Sequence, residues 1–291
     1  MAGDAQLERI WYHARPWQEH LVSYATRPHA GRARMSTPAD NWAVYWANVE
    51  GKAATILVDL SWRDRAPDPA RPMLVEVSVP FHASGEDGFP DPDELNALDP
   101  IDDRLDAALQ RGVDAVPVGC MSSDGRRRWY FYARTGECEA AVRRAFDGSG
   151  YEPTWSAKPD PDWSGYNDTL YPKPEELRWI WDVRVLTALQ QNGDKAERER
   201  PIDHFAYFKD RGDAERFAKW CTDEGFTLNG EPDTNADDGR FGVEFSHFGP
   251  ATIDSIHGRT VAADREATRL GGMYDGWATI VKRRPWWRFW D

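Results

Sequence analysis

The stretch Gly271-Gly272-Met273-Tyr274-Asp275-Gly276-Trp277 constrains the fold more than any other part of the sequence. Upstream of it, Ile253, Ile256, Ala263, Ala267 and Leu270 recur at the spacing of one helix face. Two glycines then stop that helix, because glycine takes the left-handed C-cap conformation with no Cβ penalty. Beyond them the residues alternate as in a strand. Tyr274, Gly276, Ala278 and Ile280 are predicted on one side, and Met273, Asp275, Trp277, Thr279 and Val281 on the other. Gly276 leaves its side bare, which admits close approach of another group, while Trp277 covers a broad apolar surface. This is the closing helix and last strand of a domain.

Read back from that end, the domain has a regular plan. Leu177, Ile180, Trp181, Val185 and Leu189 mark a leading helix, with Glu175 and Glu176 in its first turn and Asn192-Gly193 as its stop. A strand (202–208), a helix (213–224), two strands (226–230 and 240–248), a helix (250–270) and a strand (273–281) follow. That βαββαβ order is the ferredoxin-like sandwich.

Pro172 and Pro174 separate this region from an earlier α+β domain. There, Trp42, Val44 and Trp46 alternate with Ala43 and Tyr45, Glu50-Gly51 turns the chain, and strands follow at 55–60, 73–81 and 113–119. Asp124-Gly125 is a hairpin signal. Asp99-Pro100 predicts a helix start, with Ile101, Leu105, Ala108 and Leu109 on its buried face. The segment from Asp160 to Pro172 reads as irregular structure leading to a linker. The expected fold class is therefore α+β in two domains. The first is a mainly antiparallel sheet with helices on one face; the second is a ferredoxin-like sandwich with a leading helix. The boundaries are 1–35 for an N-terminal arm, 36–173 and 174–282 for the domains, and 283–291 for a basic aromatic tail.

Charge limits the partners. The 291 residues carry a formal net charge of −13, and both halves are acidic, so neither is suited to neutralising phosphates. An acidic surface is suited to a basic protein, whose encounter it accelerates. Nine acids fall between Glu86 and Asp106 with only Arg104 in return. Helix capping accounts for the later ones but leaves Glu86, Asp87, Asp91, Asp93 and Glu94 as a candidate docking surface. Asp233, Asp237 and Asp238 form a second cluster, and Tyr274, Asp275 and Trp277 join the candidate partner-binding set from the closing motif. The 15 tryptophans add residues that favour interfaces as well as cores.

Little in the sequence points to chemistry. Asp233, Asn235, Asp237 and Glu244 fit four positions of a calcium loop, but the required glycine is replaced by Asp238. His204 and His247 share strand faces with apolar residues, as core histidines do. No nucleophile elbow, P-loop or dinucleotide fingerprint is present. The reading is a non-enzymatic protein with no cofactor and no metal. Cys120, Cys138 and Cys221 have no disulfide or zinc spacing, and neither a signal peptide nor a membrane span is visible, so a cytoplasmic location is expected.

Two resemblances sharpen this reading. The Gly-Gly-x-Tyr-Asp-Gly-Trp-x-Thr ending behind Ile256-His257 resembles the RraB family, regulators of ribonuclease E activity. Leu186, Leu189, Gly193-Asp194, the strand from Pro201 to Phe208 and Gly225-Phe226 agree, over residues 176–282. Trp42 to Leu60, Gly85 to Pro90, Ile101-Asp102-Asp103, Tyr130-Phe131-Tyr132 and Trp163 to Pro172 resemble domain-of-unknown-function family six-ninety-five. The first resemblance implies a regulator that binds an RNase E-type endoribonuclease rather than its RNA. The second carries no activity. The alternative is an immunity protein that neutralises a basic toxin such as a nuclease.

Overall fold

The computed structural model describes residues 41–85, 88–234 and 239–282. The chain divides into two compact units that meet between Pro172 and Lys173.

The first unit is built on six antiparallel strands: β1 (Trp42–Val49), β2 (Lys52–Asp59), β3 (Met73–Pro80), β4 (Val116–Ser123), β5 (Arg126–Ala133) and β6 (Thr154–Pro159), in the order β1-β2-β4-β5-β3-β6. The hairpin turns at Glu50-Gly51 and Asp124-Gly125 have positive φ at both residues. Such turns match the twist of the strands they join. On one face Val75, Val77, Val79, Trp129 and Phe131 pack in a core with α1 (Pro92–Val113) and α2 (Glu139–Phe146).

The helix α1 begins eight residues before the expected start, with Asp91 and not Asp99 as its N-cap. Asp91 caps it by accepting from the Glu94 amide at 2.8 Å, Pro92 takes its first turn, and Pro100 sits inside. The Asp-Pro-x-Glu sequence at 91–94 is itself a good helix start. Burial of Leu98, Ile101 and Leu105 offsets the amide bond that Pro100 cannot make.

The other face of the sheet is covered by the segment read from the sequence as irregular structure at the end of this domain. It is irregular, but it contributes buried side chains to the core. Trp163, Tyr166 and Leu170 are fully buried, and Trp163 stacks on Tyr132 with ring centroids 3.9 Å apart. Tyr45 Oη donates to the Leu170 carbonyl and Tyr166 Oη to the Asp59 carbonyl, both at 2.9 Å. Asp160 accepts from Tyr132 Oη and from the Ser164 and Gly165 amides, which fixes the bend that turns this segment back over the strands.

The second unit opens with the leading helix α3 (Pro174–Gln191). Then follow β7 (Arg200–Phe208), α4 (Arg211–Asp223), β8 (Thr227–Leu228), β9 (Asp233–Thr234), β10 (Phe241–Gly249), α5 (Ile253–Arg269) and β11 (Met273–Thr279). The antiparallel sheet runs β11-β7-β10-β8, with β9 also on β10. This is the expected ferredoxin-like arrangement, except that the strand predicted at 226–230 pairs over only two residues. Ala206, Phe208, Val243 and Phe245 face Phe217 of α4 and Ala263 and Ala267 of α5. On α3 the buried positions include Trp179, Ile180, Asp182 and Leu189, whereas Trp181, predicted inward, is exposed.

Candidate protein-binding face

The glycines and the two aromatic residues of the closing motif each have a definite structural task. Gly271 is left-handed at φ 73°. A Cβ on Gly272 would lie 2.3 Å from the Phe208 ring and 2.9 Å from the Tyr207 carbonyl, so only glycine lets β11 start against β7. Between Tyr274 and Gly276 the register slips, and Asp275-Gly276 stands opposite the single residue Phe205. Gly276 holds φ 118° there. This β-bulge breaks the strict alternation read from the sequence. Tyr274 and Trp277, predicted on opposite faces, both turn toward the helices.

Both are buried, so neither presents its ring to a partner, contrary to their place in the predicted docking set. Trp277 Nε1 donates to Asp182 Oδ1 at 3.0 Å. The other oxygen of Asp182 accepts from Thr260 Oγ1 at 2.7 Å and from His257 Nδ1 at 3.0 Å. A carboxylate only accepts, so the histidine nitrogen carries the proton. The fully buried Asp182 thereby joins α3, α5 and β11, and sequence reasoning missed it. Its signal was its phase: Asp182 lies seven residues before Leu189, on the same buried helix face.

His204 and His247 are buried, as their strand faces predict. His204 Nδ1 lies 2.7 Å from Tyr274 Oη and its Nε2 2.9 Å from His247 Nδ1. Burial, with the neighbouring charges of His247 and Arg259, pushes the His204 pKa down to about 3. Burial and Arg259 push His247 down to about 4. Burial also raises the Tyr274 phenol well above its ordinary value. The three groups are neutral near pH 7 and act as an internal polar strut.

The opposite face of this sheet carries aromatic and acidic side chains that are exposed or half-exposed. Among the described residues no helix covers it. Phe205 and Tyr207 of β7 point outward, and each stands across from a glycine, Phe205 from Gly276 and Tyr207 from Gly242. With no lateral side chain at those positions, both rings stay half-exposed. Phe248 is 67% exposed and Met273 46%. A depression of about 460 Å³ is lined by Phe205, Tyr207, Asn229, Glu231, Asp233 and Glu244 among others. Asp203 and the exposed Asp275 lie beside it, and Arg240 sets its guanidinium 4.9 Å over the Tyr207 ring.

The predicted acidic residues are thus divided. Glu86, Asp87, Asp237 and Asp238 lie outside the described residues, as does Asn235 of the calcium-loop count. Asp91 is a helix cap. Glu94 is buried and accepts from Tyr151 Oη at 2.9 Å and from the His82 amide at 3.0 Å, so it is not a free surface charge. Asp93 is exposed on the first turn of α1. Asp233 and Asp275 are exposed on the sheet of the second unit, and Glu244 extends from β10 rather than from a loop. Among the described residues no three His, Cys, Asp or Glu side chains group to hold a metal. No described helix is long and apolar enough to cross a membrane.

Residues 40–171 match the family of unknown function DUF695, and residues 179–279 match Regulator of ribonuclease activity B. The two matches give the order of a DUF695-like domain followed by an RraB-like domain. The DUF695 match takes in β1 through the buried segment at 163–170, and the RraB match runs from inside α3 to the end of β11. No curated protein matches the chain. A crystal structure of an unknown protein from Galdieria sulphuraria is similar at 12% identity with a TM-score of 0.20, over 72% of this chain and 99% of that one.

Proposed function

We propose that the protein is a non-catalytic regulator that binds an RNase E-type endoribonuclease in the cytoplasm, with the uncovered sheet face of the RraB domain making the contact. The RraB match carries this reading. Its description names a regulator of ribonuclease activity, and gives no support to the toxin-neutralising alternative. The face supports it chemically. Asp203, Glu231, Asp233, Glu244 and Asp275 surround exposed aromatic rings, which suits a basic protein segment and repels RNA phosphates. Cys120, Cys138 and Cys221 are buried and in no disulfide, which accords with a reducing compartment.

The test is cleavage of a defined RNA by a purified RNase E-type endoribonuclease as this protein is added. Inhibition that saturates with protein, together with no mobility shift of the RNA by the protein alone, is the expected result. Replacing Asp203 and Glu244 together with lysine is expected to weaken inhibition about tenfold through loss and reversal of complementary charge. Inhibition that instead tracks RNA binding overturns the reading.

A further inference from the structure

The uncovered face has a complement in the same chain. Residues 282–291 read Lys-Arg-Arg-Pro-Trp-Trp-Arg-Phe-Trp-Asp, with Arg283, Arg284 and Arg288 against Asp291, and four aromatic rings at Trp286, Trp287, Phe289 and Trp290. The face shows the opposite charge and the same apolar character. It has five acids around Phe205, Tyr207 and Phe248, with Arg240 as the base among them. An arginine–tryptophan segment meets such a surface by charge pairing at the rim and ring contact at the centre.

The structure also places the start of that segment. The Lys282 amide donates to Asp194 Oδ2 at 2.6 Å, its Nζ donates to the Glu199 carbonyl at 2.9 Å, and its carbonyl accepts from the Lys195 amide at 3.0 Å. Asp194 is itself held by the buried Arg200 at 2.5 Å. Lys282 is therefore pinned at the Arg200 end of β7, where Phe248 stands opposite Pro201. From Pro201 to Tyr207 the face extends roughly 20 Å at the strand rise. Nine further residues reach roughly 30 Å when extended, enough to cross it. A tether this short raises the local concentration of the segment to the order of millimolar, so weak individual contacts suffice.

We infer that the acidic, aromatic sheet face of the RraB domain is the docking surface for the chain's own segment 283–291. The segment lies along β7, with arginines toward Asp203, Glu244 and Asp275 and aromatic side chains against Phe205, Tyr207 and Phe248.

The experiment uses a peptide of residues 283–291 with a fluorescent label at its N-terminus, titrated onto the chain ended after Lys282 and, separately, onto the full chain. Anisotropy is expected to show saturable binding to the shortened chain and at least tenfold weaker binding to the full chain, whose face is already occupied. Charge reversal of Asp203, Glu244 and Asp275 in the shortened chain is expected to weaken binding at least tenfold, with the thermal midpoint checked in parallel. Tyr207→Ala gives a second variant that leaves the charges in place and is expected to weaken binding about fivefold. Absence of binding to the shortened chain, or equal binding to both chains, overturns the proposal. Light scattering supplies a further arm. A full chain that is dimeric while the shortened chain is monomeric places the segment on a second copy and overturns docking within one chain. No ribonuclease enters these measurements, so their failure and that of the proposed function are separate.

Discussion

Trp277 donates its indole N–H to Asp182, tying the last strand of the RraB domain to its leading helix across 95 residues of chain. The carboxylate also holds Thr260 and His257, so one buried acid orders three elements. Asp182→Ala strands the buried Trp277 and Thr260 donors and releases the partly exposed His257, and is expected to destabilise the domain by about 3–5 kcal/mol. Trp277→Phe removes one donor and part of a ring and costs less, about 1–2 kcal/mol. Urea unfolding followed by circular dichroism checks both, and equal effects would show that the network is not centred on Asp182.

Three glycines of the RraB domain are expected to respond in opposite directions. Gly272→Ala drives a methyl into Phe208, and Gly276→Ala forces a non-glycine residue to φ 118°; each is expected to lower stability by about 1–3 kcal/mol. Gly258 lies inside α5 with nothing within 4 Å of a new Cβ, so Gly258→Ala is expected to raise stability by up to about 1 kcal/mol. Thermal midpoints of the three variants decide the matter.

The histidine pair predicts acid sensitivity. Both imidazoles have folded pKa values depressed below 6.5, to about 3 and about 4. The unfolded chain thus binds more protons than the folded chain between these values and 6.5. Stability from the neutral pair is complete above the unfolded pKa and is lost as pH falls toward 4, by on the order of 3 kcal/mol for each histidine. His204→Gln, which keeps polarity but does not titrate, is expected to flatten the dependence between pH 6.5 and 4. Parallel curves for variant and parent in denaturant titrations at several pH values would refute it.

Asp194 adds a smaller effect at lower pH. Burial alone would raise its carboxyl, but hydrogen bonds from Arg200 and the Lys282 amide, with the Arg200 charge, hold it below the ordinary 3.8. Its contribution is present above that value and disappears as pH falls through the folded pKa. Asp194→Asn is expected to remove this acid limb and to destabilise at neutral pH as well, because Arg200 is left buried without its counter-charge.

The segment from Asp160 to Tyr171 is expected to belong to the folding unit of the first domain, with the boundary at Pro172 to Pro174. A fragment of residues 41–172 keeps Trp163, Tyr166 and Leu170 over the sheet and is expected to fold alone, as is 173–291. A fragment ending at 159 leaves one face of the sheet bare and is expected to aggregate. Trp163→Ala in the full chain is expected to cost about 3–5 kcal/mol. Solubility and cooperative thermal unfolding of the three fragments are the measurements.

The sequence by itself determined the elements that local chemistry governs. Hairpins at Glu50-Gly51 and Asp124-Gly125, the glycine stop at Gly271 and the βαββαβ order all follow from turn chemistry and apolar period, which act within a few residues. It also held the misread start of α1, because Asp91-Pro92 is a cap as good as Asp99-Pro100, and choosing between them needs the burial of Leu98. What only the tertiary structure decided is which side of a surface each residue meets. One extra residue opposite Phe205 turns both Tyr274 and Trp277 inward, and a strand partner is required before a bulge exists at all. Asp160 to Leu170 has no period because its burial comes from covering a sheet face, contact by contact. Glu94 and Asp182 look like surface charges until Tyr151 and Trp277 arrive from 57 and 95 residues away. The acidity was legible, but the face that carries it in the RraB domain was set by packing all the helices on the other side.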